Sequence, residues 1–149
     1  MDKIIQFYEI IKNEMSVTLA TALDQSVTMR FVSPVYYKKS ILFFTEPESL
    51  KYRQLKANPN CCIGAGNFFA EASAEFLGST MSDHNEELRK VYCEKFPGAF
   101  DEGVALGGRT AEFILLKPTR LKGWAFKDGI PSSDGIPTVP FEIELTEIQ

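Results

Sequence analysis

Between Ser16 and Thr45 the sequence changes character at every second residue, and this period constrains the fold more than any other feature. Val17, Leu19, Thr21 and Leu23 alternate with Ser16, Thr18, Ala20 and Ala22. Asp24–Ser26 supplies turn residues. After it, Val27, Met29 and Phe31 share one face, while Thr28, Arg30 and Val32 share the other. A two-residue period places alternate side chains on opposite faces of a strand. Tyr36–Ser40 turns the chain again, and Ile41–Phe44 is a short run of β-formers. Three strands are therefore predicted here.

The flanking segments switch to helical spacing. Ile4, Tyr8, Ile11 and Met15, with Ile5 beside them, predict an amphipathic helix ending near Glu14. Thr45 and Glu48 have capping-box spacing, and Pro47 suits a first helical turn. Leu50, Gln54 and Leu55 continue that helix, and Asn58-Pro59-Asn60 ends it. CCIGAGNFF and EASAEFLGS predict two more strands, with Gly64 and Gly66 marking a close approach to the backbone. Asp83 caps a third helix, which Pro97-Gly98 stops near Phe96. Gly103–Gly108 reads as a loop. AEFILLKPTRLKGWAF is then a long last strand, bulged at Pro118. Past Lys127, the repeated Asp-Gly-Ile-Pro at Asp128–Pro131 and Asp134–Pro137 reads as two turns. The order predicts an α+β domain over residues 1–127, with a tail, 128–149, packed on it or extending it.

Several function classes are excluded by what the chain lacks. With 149 residues and 44% hydrophobic content it can bury a core without metal or disulfides. Its net charge is −4, and no run of basic residues exceeds two, so no basic stripe for nucleic acid exists. Cys61, Cys62 and Cys93 have no metal-ligand spacing and read as small buried hydrophobes in a reducing compartment. The N-terminal stretch carries charges throughout, unlike a signal peptide, and no apolar run is long enough to cross a bilayer. A cytoplasmic protein is expected. The one histidine, His84, cannot build a metal centre or a catalytic triad alone, and reads as a surface or capping residue. No phosphate-binding glycine pattern appears either.

What the chain does carry is a charge in the wrong place. Arg30 sits mid-strand among apolar and small residues, where it needs a partner. That partner is Glu71, Glu75, solvent or a ligand. Thr45, Ser49 and Lys51 gather where a strand hands over to a helix. Unpaired N–H groups at a helix start, two hydroxyls and an ammonium make either a phosphate cradle or an ordinary capped helix.

Read together, these residues form Phe43-Phe44-Thr45-x3-Ser49-x-Lys51-x3-Leu55-x2-Asn58-Pro59, following an arginine-bearing strand. Gly78 and the closing Phe113-x-Leu115-x2-Pro118-x-Arg120-x3-Trp124-x-Phe126 extend the pattern. It resembles the FMN-binding split-barrel family, the pyridoxamine 5′-phosphate oxidase-like flavoproteins, in its smaller general stress protein-like and reductase-like branch. The resemblance spans residues 5–126. It implies a six-stranded antiparallel Greek-key split β-barrel with peripheral helices, forming a homodimer with FMN at the subunit interface. It also implies that Arg30 binds the phosphate or ribityl chain, and that Met29 and Phe31 offer backbone to the isoalloxazine edge. Phe44 and Thr45 would line the ring and phosphate ends, Ser49 and Lys51 would hold the phosphate, Ser73 would stand near the pyrimidine, and Trp124 would lie against the partner's flavin. The chain ends PFEIELTEIQ, without the Arg-Leu-His-Asp-Arg type motif of true pyridoxamine phosphate oxidases, so that reaction is not expected. The implied function is electron transfer from a reduced nicotinamide to a small-molecule acceptor. The alternative is a flavin- or haem-like-ligand-binding protein without turnover. No residue stands out as a catalytic acid, base or nucleophile.

Overall fold

The computed structural model describes residues 2–103, 107–126 and 137–145. Helix α1 is Lys3–Asn13, and strands β1 to β4 are Val17–Leu23, Ser26–Val32, Val35–Tyr37 and Ser40–Thr45. Helix α2 is Leu50–Ala57, β5 is Asn60–Ala65 and β6 is Phe68–Ser79. Helix α3 is Glu86–Lys95, preceded by a short 3₁₀ turn at Asp83–Asn85. Strands β7, Glu112–Phe126, and β8, Pro137–Glu144, follow. The class is α+β, as expected, and the described residues form eight strands, two more than the six the sequence suggested.

The two extra strands have different causes. β3 and β4 form a hairpin whose turn is Lys38-Lys39, both with positive φ. Lysines carry no turn signature, so the sequence showed only a bend there. The carbonyl of Lys39 accepts from the Tyr8 hydroxyl at 2.7 Å, which ties the turn to α1. β8 falls in the segment read as a tail. Phe141, Ile143 and Leu145 pack against the main core, while Glu142 and Glu144 face out. The turn predicted at Asp128–Pro131 lies outside the described residues. So does the one at Asp134–Pro137, except for Pro137, which opens β8.

Every described strand pairing is antiparallel, and the sheet order is β2-β1-β5-β6-β7-β4-β3. β7 pairs with β4 through its first half and with β8 through its second, so β8 continues the same edge past Pro118. The expected irregularity is there: the β6 register shifts between Glu71 and Ala72, opposite Arg120 and Pro118. Inward side chains from β1, β5, β6 and β7 meet those of the distant β4 in one core, with Phe7, Tyr8 and Ile11 of α1 at its centre. The sheet must therefore curl around that core. β4 is buried on both faces. Ile41 and Phe43 point into the main core, and Leu42 enters a second core beneath α3 with Val35, Leu88, Tyr92, Phe100 and Phe113.

Some local expectations need correction. α1 stops at Asn13, and its buried stripe runs through Phe7 rather than Ile5, leaving Met15 exposed beyond the helix. Its cap is Asp2, whose carboxylate accepts from the amide of Ile4 at 2.7 Å. Gly66 takes a positive φ in the β5–β6 turn, and a Cβ there would also crowd Ile10 Cδ1 at 3.1 Å. Gly64 has ordinary room. Of the cysteines only Cys61 is buried; Cys62 is exposed. No described helix is long and apolar enough to cross a membrane.

Candidate functional site

The β1–β2 hairpin has two unlike faces. Its outward face carries Val27, Met29 and Phe31, exposed by 73%, 71% and 76%. Its other face carries Thr21, Thr28 and Arg30, and α2 lies against it. The strand alternation fixes this split, because an odd shift of register would exchange the faces.

Helix α2 begins at Leu50, so Thr45 is not its cap. Ser49 is: its Oγ accepts from the amide of Tyr52 at 3.3 Å. Thr45, buried at the end of β4, shares a 2.9 Å hydrogen bond with that same Oγ and steadies it. Lys51 stands in the first turn, where backbone N–H groups have no intrahelical partner.

Arg30 is half-buried. Its guanidinium donates to the Leu19 carbonyl at 3.1 Å, to Thr21 Oγ1 at 2.7 Å and to Thr28 Oγ1 at 2.5 Å. These are all neutral acceptors. The carboxylates suggested as its partners are taken elsewhere: Glu71 pairs with Arg120 and Lys122, and Glu75 with Lys117. Burial lowers the pKa of Arg30. The pKa of Lys51 is also lowered, first by burial and then by the charge of Arg30. The two cations thus feel each other, and among the described residues neither has a carboxylate partner. Like charges in a half-buried setting cost free energy until an anion joins them.

Sequence reasoning missed three members of this cluster: Thr21, Thr28 and Gln54. Gln54 is only 3% exposed. Its Oε1 accepts from Thr21 Oγ1 at 2.6 Å and from Thr28 Oγ1 at 2.7 Å. The available signal was a polar residue on the apolar stripe of a helix, facing threonines in phase with Arg30.

The remaining predicted residues are not gathered here. The ring of Phe44 packs on Tyr92, Phe100 and Phe113 in the second core, with centroids 5.0, 5.5 and 6.4 Å away. Met29, Phe31, Ser73 and Trp124 lie on the outward face, spread from β2 across to β7. A cavity of about 480 Å³ lies on that face too, lined by Ala20, Ala22, Val27, Asn60, Cys62 and Glu71 among others. It holds neither Arg30 nor Lys51. Within one chain, then, the phosphate-type residues Arg30, Thr45, Ser49 and Lys51 come together, and the ring-type residues do not.

No family model matches the sequence, and no curated protein matches it. Solved structures do. A general stress protein 26 from Bacillus anthracis superposes with a TM-score of 0.63, covering 81% of this chain and 92% of its own, at 14% identity. A candidate pyridoxamine 5′-phosphate oxidase from Listeria innocua gives 0.61, covering 80% and 96%, at 12% identity. The fold is that of the pyridoxamine 5′-phosphate oxidase-like proteins. A FAD-binding protein from Mesorhizobium loti has the same oxidase-like fold, with a TM-score of 0.60 over 81% of this chain and 92% of its own, at 16% identity. At such identities the oxidase-like architecture is shared while nearly every side chain differs, so the site must be argued from this chain's own residues.

Proposed function

We propose that this chain binds FMN, with the phosphate seated between Arg30, Lys51 and the start of α2. One observation carries this reading: two half-buried cations repel each other beside a capped helix start, and no carboxylate among the described residues neutralises them. A phosphate monoester supplies up to two negative charges and three acceptor oxygens. Charge-assisted bonds from a guanidinium, an ammonium and helix N–H groups suit it. The oxidase-like fold, shared with a FAD-binding protein, supports a flavin in particular.

The ring end calls for a second copy of the chain. β2 ends the sheet path, and its exposed Val27, Met29 and Phe31 adjoin the small residues Thr18, Ala20 and Ala22 of β1. Exposed apolar stripes of this kind mark association surfaces. A homodimer using this face buries the stripe and brings the partner's outward residues towards the cofactor. Trp124, half exposed on that face, then has a role its own chain cannot give it. Each half takes the form of a Greek-key split barrel extended by β3 and β8.

Bound FMN supplies hydride or single-electron chemistry, so the protein needs no acid, base or nucleophile of its own. Its residues bind and orient: Arg30 and Lys51 fix the phosphate, and Ser49 and Thr45 hold the helix start in place. The activity that fits is electron transfer from a reduced nicotinamide to a small-molecule acceptor.

The test is a visible spectrum and mass analysis of whatever co-purifies, followed by sedimentation. FMN at one per chain in a dimer is the expected result. A protein that neither carries FMN nor binds it when added refutes the assignment, and a monomer that binds FMN tightly refutes the shared site. NADH or NADPH under nitrogen, then a quinone or nitro compound, separates turnover from storage: bleaching and recovery mark an enzyme.

A further inference from the structure

Gln54 is a polar residue where a helix would ordinarily bury an apolar one. Its amide oxygen receives the hydroxyl protons of both Thr21 and Thr28. A threonine hydroxyl has one proton and two lone pairs. Once each proton is given to Gln54, only lone pairs are left to face Arg30. The guanidinium donates to those two oxygens, at 2.7 and 2.5 Å. The relay therefore has a direction: guanidinium to hydroxyl, hydroxyl to amide oxygen. The other end of the amide is also held, with Nε2 donating to Ser26 Oγ at 3.4 Å. Buried hydrogen-bond chains of this kind polarise one another, and they are costly when half satisfied.

The consequence concerns binding. Among the described residues Arg30 has no carboxylate to fix its fork, and a long side chain left free loses much rotamer entropy when a ligand orders it. Gln54 sits on the same helix as Lys51, three residues on. It thus couples the orientation of the strand-borne cation to the helix that carries the other one. We infer that Gln54 is a positioning residue for anion recognition: through Thr21 and Thr28 it pre-orients the Arg30 guanidinium for the phosphate. This rests on the FMN reading above and adds a residue that touches no ligand atom.

The experiment compares FMN with riboflavin, which has the same ring and ribityl chain but no phosphate. Gln54→Met keeps the side-chain length and removes the strong acceptor. It should lower the ratio of FMN to riboflavin affinity about fivefold, the scale of one neutral hydrogen bond. Riboflavin affinity should stay the same. Placed on an Arg30→Met background, Gln54→Met should change FMN affinity no further, because the group it orients is gone. Equal loss for both flavins, or a full further loss on that background, overturns the assignment and makes Gln54 merely structural. If Gln54→Met fails to give a cooperative melt, Thr28→Val tests the same relay from the sheet side, and an unchanged ratio there overturns it. Wild-type protein that binds FMN no better than riboflavin is a different failure: it removes the phosphate site itself, and Gln54 then has nothing to position.

Discussion

Two groups of cations in this molecule meet opposite fates. On the outward face of β7, Arg120 is surrounded by Glu71, Glu142 and Glu144, Lys122 by Glu71 and Glu142, and Lys117 by Glu75. The pKa of Arg120 is raised, chiefly by Glu144. On the inner side of β2 and at the start of α2, Arg30 and Lys51 have no such company among the described residues, and both pKa values are lowered. The first group is complete as it stands: it spans three strands and helps to align β8 on β7. The second group has no carboxylate partner among the described residues. An uncompensated pair of this kind points to a ligand.

Lys51→Glu is the strongest way to break this contrast, because it supplies the missing carboxylate internally. FMN affinity should fall by at least ~2 kcal/mol, a loss of about 30-fold, as a charge-assisted contact becomes repulsion. The ligand-free protein should melt at a higher temperature, since Arg30 gains a partner and a carboxylate suits the first turn of a helix. Fluorescence titration and calorimetry read the two signs separately. Weaker binding together with a lower melting temperature would indicate simple damage.

A smaller effect follows from pH. Burial and the charge of Arg30 make Lys51 release its proton below the ordinary lysine value of 10.5. The unfolded chain holds that proton more tightly. The lysine's destabilising effect is therefore fully present below its lowered value, shrinks as pH rises past it and is gone only above 10.5. A bound phosphate reverses the preference and keeps the proton on. FMN affinity should accordingly fall several-fold between pH 7 and the onset of alkaline unfolding, with riboflavin affinity flat over the same range. A flat profile for both flavins would remove Lys51 from the phosphate site.

The smallest expected change lies in the completed group. Arg120→Ala removes a surface network whose members are all well exposed, and such pairs contribute about 0–1 kcal/mol. Stability to urea should drop within that range, less so in high salt. A larger loss would show that β8 is held by charge rather than by Phe141, Ile143 and Leu145.

Much of this was legible in advance for a physical reason. Alternation, caps and turn residues are local signals. They placed β1, β2, β4, β5, β6, β7 and the three described helices to within a few residues. β3, and with it the hairpin to β4, escaped because Lys38 and Lys39 adopt positive φ without a glycine to announce it. β8 escaped because Pro137 and Pro140 and the turn-like residues before them weaken its local signal, while pairing with β7 and packing on the core make it a strand. The motif around Thr45, Ser49 and Lys51 was visible, but the sequence made Thr45 the cap when it is Ser49.

The sequence by itself determined the periodicities, the sparse set of chemical groups and the odd arginine in a strand. Those are properties of neighbours along the chain. Only the tertiary structure decided which face of β2 carries Arg30 against α2, and that Glu71 and Glu75 were already taken. It alone set Gln54 behind the two threonines. Charge balance and hydrogen-bond satisfaction depend on what lies within a few ångströms, and for a curled antiparallel sheet those neighbours come from distant parts of the chain.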